Sequence, residues 1–482
     1  MAHSRLEVDL SAIDRNLAAI RAITSPPSTL PTPAQGKPQG VGICAVLKQD
    51  AYGCGAARVA KRLAASGADA IAVYSLDEAR AVAEAVPTIP ILVLMPVSGL
   101  DRSDPLYRHA AGGRIHLVLH GPDQLAAITE TAARIGAALP LHVQIDTGLS
   151  RGGVMPEQAR PLVETIVKSQ KLRLAGLMTH FSAPCCDDAF TREQARMFRD
   201  FVQDVAPILK AGLAQGSKGA SRLDQMALHA ANSCATFRSR AYHGTMVRVG
   251  QSLLGYGCEE VGENQSFEFR GAFDQLEPAV RWIAPIVHLQ EIPAGWPVGY
   301  GGTWKAPLRP DGRKTKIALI PVGYADGYPR PLGGKGNDGP GMVGFTARTF
   351  ERRGSGESED AGRATTDSGA MLPTVYAPVV GRVSMDQITI DVTDVPEQYL
   401  KFTKVNTDWV GPEVELLGRV RGAPNFLPSM AHAAGSITHE TLTRISPKVE
   451  RIHRFAAGES GPVRLPAHGR LTGIGGASAV AQ

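Results

Sequence analysis

The chain has 482 residues, of which 43% are hydrophobic, and its formal net charge is +5. This length is sufficient for two domains with large buried cores. A small net charge without a dense Lys/Arg block argues against nucleic acid as a partner. No apolar run reaches the length of a membrane span, and the start of the chain, MAHSRLEVDL, lacks a signal segment. We therefore expect a cytoplasmic protein with no membrane partner.

Six cysteines are present, and none forms a C-x-x-C pair. This usage predicts free thiols in a reducing compartment. The adjacent Cys185 and Cys186 lie shortly after His180, but a third and a fourth ligand at suitable spacing are missing. We therefore predict no metal site.

The first predicted element is a helix in SAIDRNLAAIRAI, with Ser11 as its N-cap. From residue 41 to about 250, eight short apolar runs alternate with helical patterns. The runs are VGICAVL, AIAVYS, ILVLMP, IHLVLH, LHVQID, LAGLMTH, MALHAA and TMVRVG. Eight buried strands alternating with helices predict an α/β fold of the (β/α)8 TIM-barrel type. A doubly wound open sheet is the alternative, and the missing GxGxxG after the first run argues against it.

After about residue 262, β-branched runs are separated by Gly and Pro, which predicts a mostly β C-terminal domain. We expect the barrel over 1–260 and the β domain over 261–456. The Gly- and Ser-rich stretch at about 332–371 is interpreted as an insertion, and 457–482 as a tail without fixed structure.

Polar residues follow several of the predicted barrel strands, where side chains point into the mouth of a barrel. They are Lys48, Asp146, Arg151, His180, Asn232, Ser233, Arg248 and Gly250. Each also has a structural explanation: Lys48 as a surface lysine, His180 as a core histidine, and Asp146 as a turn cap, which we prefer for Asp146. Their common position at strand ends favours a functional site.

The residue types in this set suit one kind of cofactor. A lysine amine forms a Schiff base when burial or nearby cations lower its pKa. Glycine amides, with the hydroxyls of Tyr52 and Ser233, form a phosphate cradle. Pyridoxal phosphate, a phosphorylated aldehyde, matches both features.

The sequence resembles the alanine racemase family of barrel-type pyridoxal phosphate enzymes, from VDLSAIDRN to about residue 455. The motifs that carry the resemblance occur in the family's order: AVLKQDAYGCG, IDTGLSRGG, LMTHFS, HAANS, VRVGQSLLGYG, VGYGG, PVGYADGYPR and VVGRVSMDQITID. The resemblance implies a homodimer with shared active sites. It also implies interconversion of L-alanine and D-alanine, which supplies D-alanine for peptidoglycan.

The resemblance implies two catalytic bases, Lys48, which also carries the cofactor, and Tyr300, which reaches the partner subunit's site. Two bases on opposite faces suit a reaction that removes a proton from one face and returns it to the other. Further cofactor-binding residues are implied: Tyr52, His180, Ser233, Arg248, Gly250, Gln251 and His439. Substrate-binding residues are implied as well: Arg151, Met385 and Asp386.

Arg248 is implied to face the pyridine nitrogen. A guanidinium only donates hydrogen bonds and stays charged, so we expect that nitrogen to remain unprotonated. Nearby arginines are expected to lower the pKa values of both bases, since neither lysine nor tyrosine is basic at neutral pH when unperturbed.

Three positions depart from the family pattern. His439 stands where the family usually has a tyrosine, so serine or a broader range of amino acids is an alternative to strict alanine specificity. Gln144 replaces a lysine, and we expect its amide oxygen to hold Arg151. Ser384 replaces a cysteine, for which we expect a mild effect.

Two other classes of protein remain as alternatives. A non-catalytic pyridoxal phosphate carrier has no need of Tyr300, Met385 and Asp386. A barrel-type decarboxylase is expected to carry a Gly-rich phosphate loop, which the sequence lacks. Tyr324 and Asp326, in GYADGYPR, are interpreted as turn residues with a satisfied carboxylate.

Overall fold

The structure is a computed structural model that describes residues 4–25, 40–257, 267–334, 341–345, 374–405 and 408–455. These residues form two units. One contains 12–51 and 55–277, and the other contains the N-terminal residues to 11, the short segment 52–54 and the chain from 278 onward. Most of the predicted insertion at 332–371 and the whole predicted tail at 457–482 lie outside the described residues.

The chain begins with strand β1 (Arg5–Asp9) and helix α1 (Leu10–Thr24). Helix α1 starts at Leu10, so Ser11 lies in its first turn and is not its N-cap as predicted. Eight strands then form one parallel sheet. They are β2 (Gly42–Val46), β3 (Ala70–Val73), β4 (Ile91–Val93), β5 (Ile115–Leu119), β6 (Leu139–Gln144), β7 (Leu172–Met178), β8 (Ala227–His229) and β9 (Met246–Val249).

The order of these strands is β8-β7-β6-β5-β4-β3-β2-β9. Backbone hydrogen bonds bridge the two end strands: Thr245 N–H donates to the Leu228 carbonyl at 2.9 Å, and Arg248 N–H donates to the Ala231 carbonyl at 2.9 Å. The sheet is thus a nearly closed barrel, and the predicted (β/α)8 fold is confirmed. Each strand corresponds to one of the eight apolar runs.

Short and long helices follow the barrel strands. They are α2 (Lys48–Gly53), α3 (Ala56–Ala65), α4 (Leu76–Ala83), α5 (Tyr107–Ala111), α6 (Pro122–Ile135), α7 (Pro156–Lys168), α8 (Asp188–Ala214), α9 (Ser233–Arg238) and α10 (Arg270–Asp274). The longer ones are amphipathic: α3, for example, buries Val59 and Leu63 on one face. Over the described residues, we find no helix with the length and apolar character needed to cross a bilayer.

The interior of the barrel is filled by side chains and forms a packed core. One apolar layer is built from inward-facing residues of seven strands: Cys44, Ala70, Ala72, Leu92, Val118, Met178, Ala227 and Met246. Burial raises the pKa of the Cys44 thiol to about 12, so this cysteine stays protonated and behaves as a small apolar residue.

The second unit is mostly β, as predicted. Its large sheet has the order β11-β14-β17-β16-β15-β20-β10-β1-β21. The strands after the barrel are β10 (Val280–Pro285), β11 (His288–Ile292), β12 (Pro297–Val298), β13 (Trp304–Lys305), β14 (Thr315–Ile320), β15 (Met342–Phe345), β16 (Val375–Val380), β17 (Ile388–Asp391), β18 (Thr403–Val405), β19 (Asp408–Val410), β20 (Glu413–Leu417) and β21 (Glu450–Arg454). Two short helices, α11 (Leu427–Ala433) and α12 (Thr438–Thr443), precede β21.

Strand β1, the first in the chain, lies inside this sheet between β10 and β21. Its Glu7 is fully buried and accepts hydrogen bonds from Arg5 at 2.8 Å, Arg281 at 2.6 Å and Arg454 at 2.8 Å. Burial alone would raise the pKa of this carboxyl, but the surrounding guanidinium charges lower it to about 2. The N-terminal strand is therefore fixed by both a backbone ladder and an ionic cluster.

Candidate active site

The lysine that follows β2 begins a left-handed turn. In α2, the residues Gln49, Asp50, Ala51 and Tyr52 have φ values from 53° to 57°. For residues with a Cβ atom, this conformation costs roughly 1–2 kcal/mol each. Four such residues in a row need compensating contacts, and strain of this kind is common at functional sites.

A single carboxylate holds the start of this turn. Glu78 accepts a hydrogen bond from the Gln49 amide at 2.8 Å and another from the Tyr74 amide at 2.6 Å. At the other end, the Asp50 carboxylate accepts a bond from the Ala56 amide at 2.7 Å, where α3 begins. Hydrogen bonds to ionised carboxylates are stronger than neutral ones, and these offset part of the strain.

Lys48 is half-buried, and none of the described residues forms a hydrogen bond or ion pair with its amine. Burial lowers the pKa of Lys48, the positive charge of Arg151 lowers it further, and Glu78 acts in the opposite direction. A larger share of the amine is therefore neutral than for an exposed lysine. A neutral, unpaired amine can act as a nucleophile or a base.

Arg248, on β9, is buried within the barrel and is surrounded by uncharged acceptors. Its guanidinium donates to the backbone carbonyls of His229 at 2.7 Å and Thr179 at 2.8 Å, and to Nδ1 of His180 at 3.0 Å. Burial lowers the pKa of Arg248 to about 10, which still leaves it charged at neutral pH. Among the described residues, none accepts a hydrogen bond from its Nε–H, so one donor remains for a ligand.

His180 follows β7, and its Nδ1 accepts a hydrogen bond from Arg248 at 3.0 Å. Burial lowers its pKa to about 3, with further contributions from the charges of Arg248, Arg151 and Lys48. The imidazole is therefore neutral, and it accepts a hydrogen bond rather than competing with Arg248 as a second cation.

Ser233, at the start of α9, and Gly250, after β9, lie next to each other. The Gly250 amide donates to Ser233 Oγ at 3.1 Å, and the Ser252 hydroxyl lies 3.2 Å from the same oxygen. Gln251 instead donates from its side chain to the carbonyl of Gly257 at 3.0 Å. Amides and hydroxyls that converge in this way can bind an anion.

Arg151 lies exposed in the loop after β6. Asp146 closes that loop, because its Oδ1 accepts hydrogen bonds from the amides of Gly148, Leu149 and Ser150 at 2.9–3.1 Å. This is the turn-capping role that we preferred for Asp146.

The contact predicted for Gln144 is different in the structure. Its side-chain amide donates to the Gly152 carbonyl at 3.1 Å and so acts on the backbone of the loop rather than on the Arg151 side chain.

In the second unit, the rings of Tyr52 and His439 pack against each other with their centroids 5.6 Å apart. Tyr52 is buried, which raises the pKa of its hydroxyl, whereas His439, on α12, is exposed. The position that departs from the family pattern is thus in contact with a residue predicted to bind phosphate.

Tyr300 also belongs to the second unit, and its side chain is 72% exposed. It lines a surface cavity of about 470 Å³ together with Tyr324, Arg330, Arg382, Val383 and Ser384. Met385 is 53% exposed, Asp386 is exposed beside it, and the Met385 carbonyl accepts a bond from the Ala325 amide at 3.0 Å. Tyr324, which the sequence analysis assigned to a turn, therefore shares this cavity with Tyr300, while Asp326 accepts a hydrogen bond from the Gly323 amide as expected.

Three histidines in the barrel interior were not predicted as site residues from the sequence: His116, His142 and His229. The signal was present, because His116 and His229 each lie two residues from a member of the apolar layer, Val118 and Ala227. Alternation places such residues on the same face of a strand. A search for polar residues at inward positions of otherwise apolar strands would have identified these histidines.

A barrel with a half-buried lysine of lowered pKa after its first strand and a buried arginine on its last defines an enzyme of the TIM-barrel class, with its candidate site at the carboxyl ends of the strands. The family model for the alanine racemase N-terminal domain matches residues 8–257, and that for the alanine racemase C-terminal domain matches 279–343 and 361–453. The chain belongs to the alanine racemase family and is an isomerase.

Individual relatives agree with this assignment. An alanine racemase from Halothermothrix orenii is 30% identical over 454 residues, which is 94% of this chain and 97% of the relative. The crystal structure of an alanine racemase from Streptomyces lavendulae matches with a TM-score of 0.68 and 25% identity, covering 94% of this chain and 97% of the other. An alanine racemase from Bartonella henselae with covalently bound pyridoxal phosphate shares the fold, with a TM-score of 0.63, 22% identity and coverage of 94% and 100%.

Proposed function

We propose that the protein is a homodimeric, pyridoxal phosphate-dependent racemase that interconverts L-alanine and D-alanine in the cytoplasm and supplies D-alanine for peptidoglycan. The observation that carries the proposal is the environment of Arg248. It is a buried cation held by uncharged acceptors, with one N–H left for a ligand. Such a group suits a ring nitrogen that is to remain unprotonated.

The other residues of the barrel fit the same cofactor. The amine of Lys48, with its lowered pKa, is suited to carry it covalently, and the Ser233 hydroxyl with the Gly250 amide is suited to its phosphate. Tyr52, Gln251 and His439 are proposed as further phosphate-side residues. His180 is proposed to lie beside the ring, and Arg151 to bind the substrate carboxylate. When bound, pyridoxal phosphate withdraws electrons from the amino-acid Cα and makes its proton acidic.

Two residues of the protein, Lys48 and Tyr300, are proposed to transfer the α-proton of the substrate. Lys48 Nζ, with its lowered pKa, takes or returns the proton on one face of the substrate. Tyr300 Oη from the partner subunit does so on the other face. The exposure of Tyr300, Tyr324 and Met385 supports this arrangement, because exposed apolar and aromatic side chains that cluster on a surface often mark an interface. Met385 and Asp386 are proposed to line the substrate side of the partner's site.

A second candidate function is racemisation of serine or of several amino acids. The observation that favours it is His439, whose ring contacts Tyr52 and whose polar tip is shorter than that of tyrosine. Relative rates on alanine, serine and larger amino acids distinguish the two functions. His439→Tyr is expected to shift the preference toward alanine.

The test of the proposal uses the cofactor-loaded protein with L-alanine in D2O. The wild type is expected to racemise alanine and to exchange the α-proton of both enantiomers. Tyr300→Phe is expected to retain exchange for one enantiomer and lose it for the other, since only one face then has a base. Equal loss of exchange for both would contradict the two-base mechanism, and no racemisation by the wild type would contradict the function.

The covalent role of Lys48 has a separate test. After borohydride reduction, mass spectrometry of the wild type should find the cofactor on the peptide that contains Lys48. The same modification of another lysine would contradict the assignment. Lys61, an exposed lysine on α3, is the matched control, and Lys61→Ala should leave the labelled peptide unchanged.

A further inference from the structure

Three histidines inside the barrel form a continuous hydrogen-bonded chain that begins at Arg248. His229 Nδ1 lies 3.1 Å from the Arg248 guanidinium, and its Nε2 lies 2.9 Å from His142 Nδ1. His142 Nε2 lies 2.8 Å from His116 Nδ1. These histidines are 0–3% exposed, and no role assigned above uses them.

The chain of histidines passes from His142 on β6 to His229 on β8, across the inner face of β7. It can do so because β7 carries Gly176. A Cβ atom at this position would lie 2.3 Å from His142 Nδ1 and 2.7 Å from the Ala227 carbonyl. Any larger residue would therefore occupy the space in which His142 and His229 meet. The missing side chain is thus on β7, the strand that lies between the strands of His142 and His229.

The donor that begins the chain determines where every proton lies. A guanidinium has no acceptor, so His229 Nδ1 must accept and His229 must carry its proton on Nε2. That proton is donated to His142 Nδ1, so His142 is also protonated on Nε2. By the same argument His116 accepts at Nδ1 and is protonated on Nε2. All three hydrogen bonds therefore run in one direction, away from Arg248.

The imidazoles of the chain are neutral. Burial lowers the pKa of His142 to about 3, and Arg173 and Arg248, one on β7 and one on β9, lower it further. Burial and neighbouring positive groups also lower the pKa values of His116 and His229 well below the ordinary range. Within the described residues, no carboxylate forms an ion pair with Arg248, and no group of His, Cys, Asp or Glu side chains has metal-binding geometry.

We propose that His229, His142 and His116 are positioning residues that hold Arg248 in one orientation and stabilise its charge without an acidic partner. His229 presents its Nδ1 lone pair to the guanidinium, and His142 and His116 each accept from the imidazole before them. Hydrogen bonds aligned in one direction polarise and strengthen one another. A carboxylate in the same place would orient Arg248 equally well but would neutralise its field. The inference rests on the proposed function in one respect only: it takes the group that Arg248 faces to be the ring nitrogen of pyridoxal phosphate.

The positions of the protons can be observed directly. Neutron diffraction from perdeuterated crystals of the full chain at neutral pH should show deuterium on Nε2, and not on Nδ1, of all three histidines. Deuterium on Nδ1 of His229, or on both nitrogens of any of the three, would overturn the inference. This test does not depend on whether the protein is a racemase.

The effect on the cofactor is read from the ¹⁵N signal of ring-labelled pyridoxal phosphate bound to the protein. In His142→Phe, the buried Nε2–H of His229 loses its acceptor, and His229 then holds Arg248 less firmly. The signal should therefore move away from its wild-type position and kcat should fall roughly tenfold, as for a buried donor left without its acceptor. His142→Gln should restore both, because its amide can accept from His229 and donate to His116. An unchanged signal in a folded His142→Phe protein would overturn the inference.

His243→Phe is the matched control. His243 is also buried, but it donates to the Thr236 carbonyl at 2.7 Å and is not part of the chain. Its substitution should leave the ring-nitrogen signal unchanged, and an equal shift would overturn the inference. If wild-type protein does not bind the cofactor at all, the proposed function fails, and the neutron experiment still decides the proton positions.

Discussion

At the scale of single residues, the barrel interior depends on one missing side chain. Gly176 lies on the strand between His142 and His229, and it has no Cβ atom to separate them. Its conformation does not require glycine, because its φ is not in the left-handed region. The requirement is steric, so it depends on what the neighbouring strands place there.

Gly176→Ala is therefore expected to destabilise the protein by about 1–3 kcal/mol, the range for overpacking a dense core. Gly271→Ala is the control, because no atom lies within 4 Å of a Cβ atom built there and the residue is in helix α10. Chemical denaturation of both variants gives the comparison. Equal stability of the two would show that the barrel can make room for a methyl group at position 176.

At the scale of elements, the left-handed turn after Lys48 is the local structure that sequence patterns describe least well. None of its residues, QDAY, adopts positive φ as readily as glycine does. The turn exists because Glu78 and Asp50 accept backbone amides at its two ends. We expect the turn to store strain that fixes the position of Lys48.

Gln49→Gly should stabilise the protein by about 1 kcal/mol, because Gln49 is exposed and has φ of 53°, where a Cβ atom is unfavourable. The same substitution at Gln203, an exposed position inside α8, should destabilise it by about 0.5–1 kcal/mol. Urea unfolding of the two variants tests the opposite signs. A loss of stability in Gln49→Gly would contradict the claim that the backbone is strained at this position.

At the scale of the whole molecule, the two ends of the described chain meet in one sheet. Strand β1 pairs with β21 in parallel and with β10 in antiparallel register. Glu7 connects all three strands through Arg5, Arg281 and Arg454. The β unit therefore needs its N-terminal strand, although more than 250 residues separate Glu7 from Arg281.

Glu7→Gln should cost about 3–5 kcal/mol at neutral pH, the usual penalty for removing one partner of a buried ion pair. The control is Glu277→Gln, whose pair with Arg15 is exposed and should contribute about 0–1 kcal/mol. Unfolding can be followed by the fluorescence of the buried Trp282, which lies opposite Leu6 on β1. A similar loss in both variants would contradict the special role of Glu7.

The same pair of proteins gives a pH dependence. The pKa of Glu7 falls from its ordinary value of 4.5 to about 2 in the folded protein. Its ionised form is therefore favoured by folding, and the stability that it contributes is complete above 4.5 and lost as the pH falls through 2. The stability difference between wild type and Glu7→Gln should be constant near neutral pH and narrow below 4.5. A difference that widens in acid would contradict this sign.

Much of the architecture follows from local patterns. The eight apolar runs became the eight barrel strands because each is short, apolar and bounded by turn residues. Ser11 was predicted as the N-cap of helix α1, two positions too late, because the helix begins at Leu10 and capping preferences do not fix a boundary to one residue. The membership of β1 in the second unit could not be predicted, because strand pairing over hundreds of residues leaves no local signal.

The candidate site divides in the same way. The sequence by itself determined which residues lie at or near the ends of the barrel strands, including Lys48, His180 and Arg248, because strand ends and motif order are local properties. The tertiary structure decided that Tyr324 shares a cavity with Tyr300, and that three histidines connect to Arg248 across the space left by Gly176. Those relations depend on distances between strands. They cannot be predicted from the sequence alone, because hydrogen bonding and burial act between residues that only folding brings together.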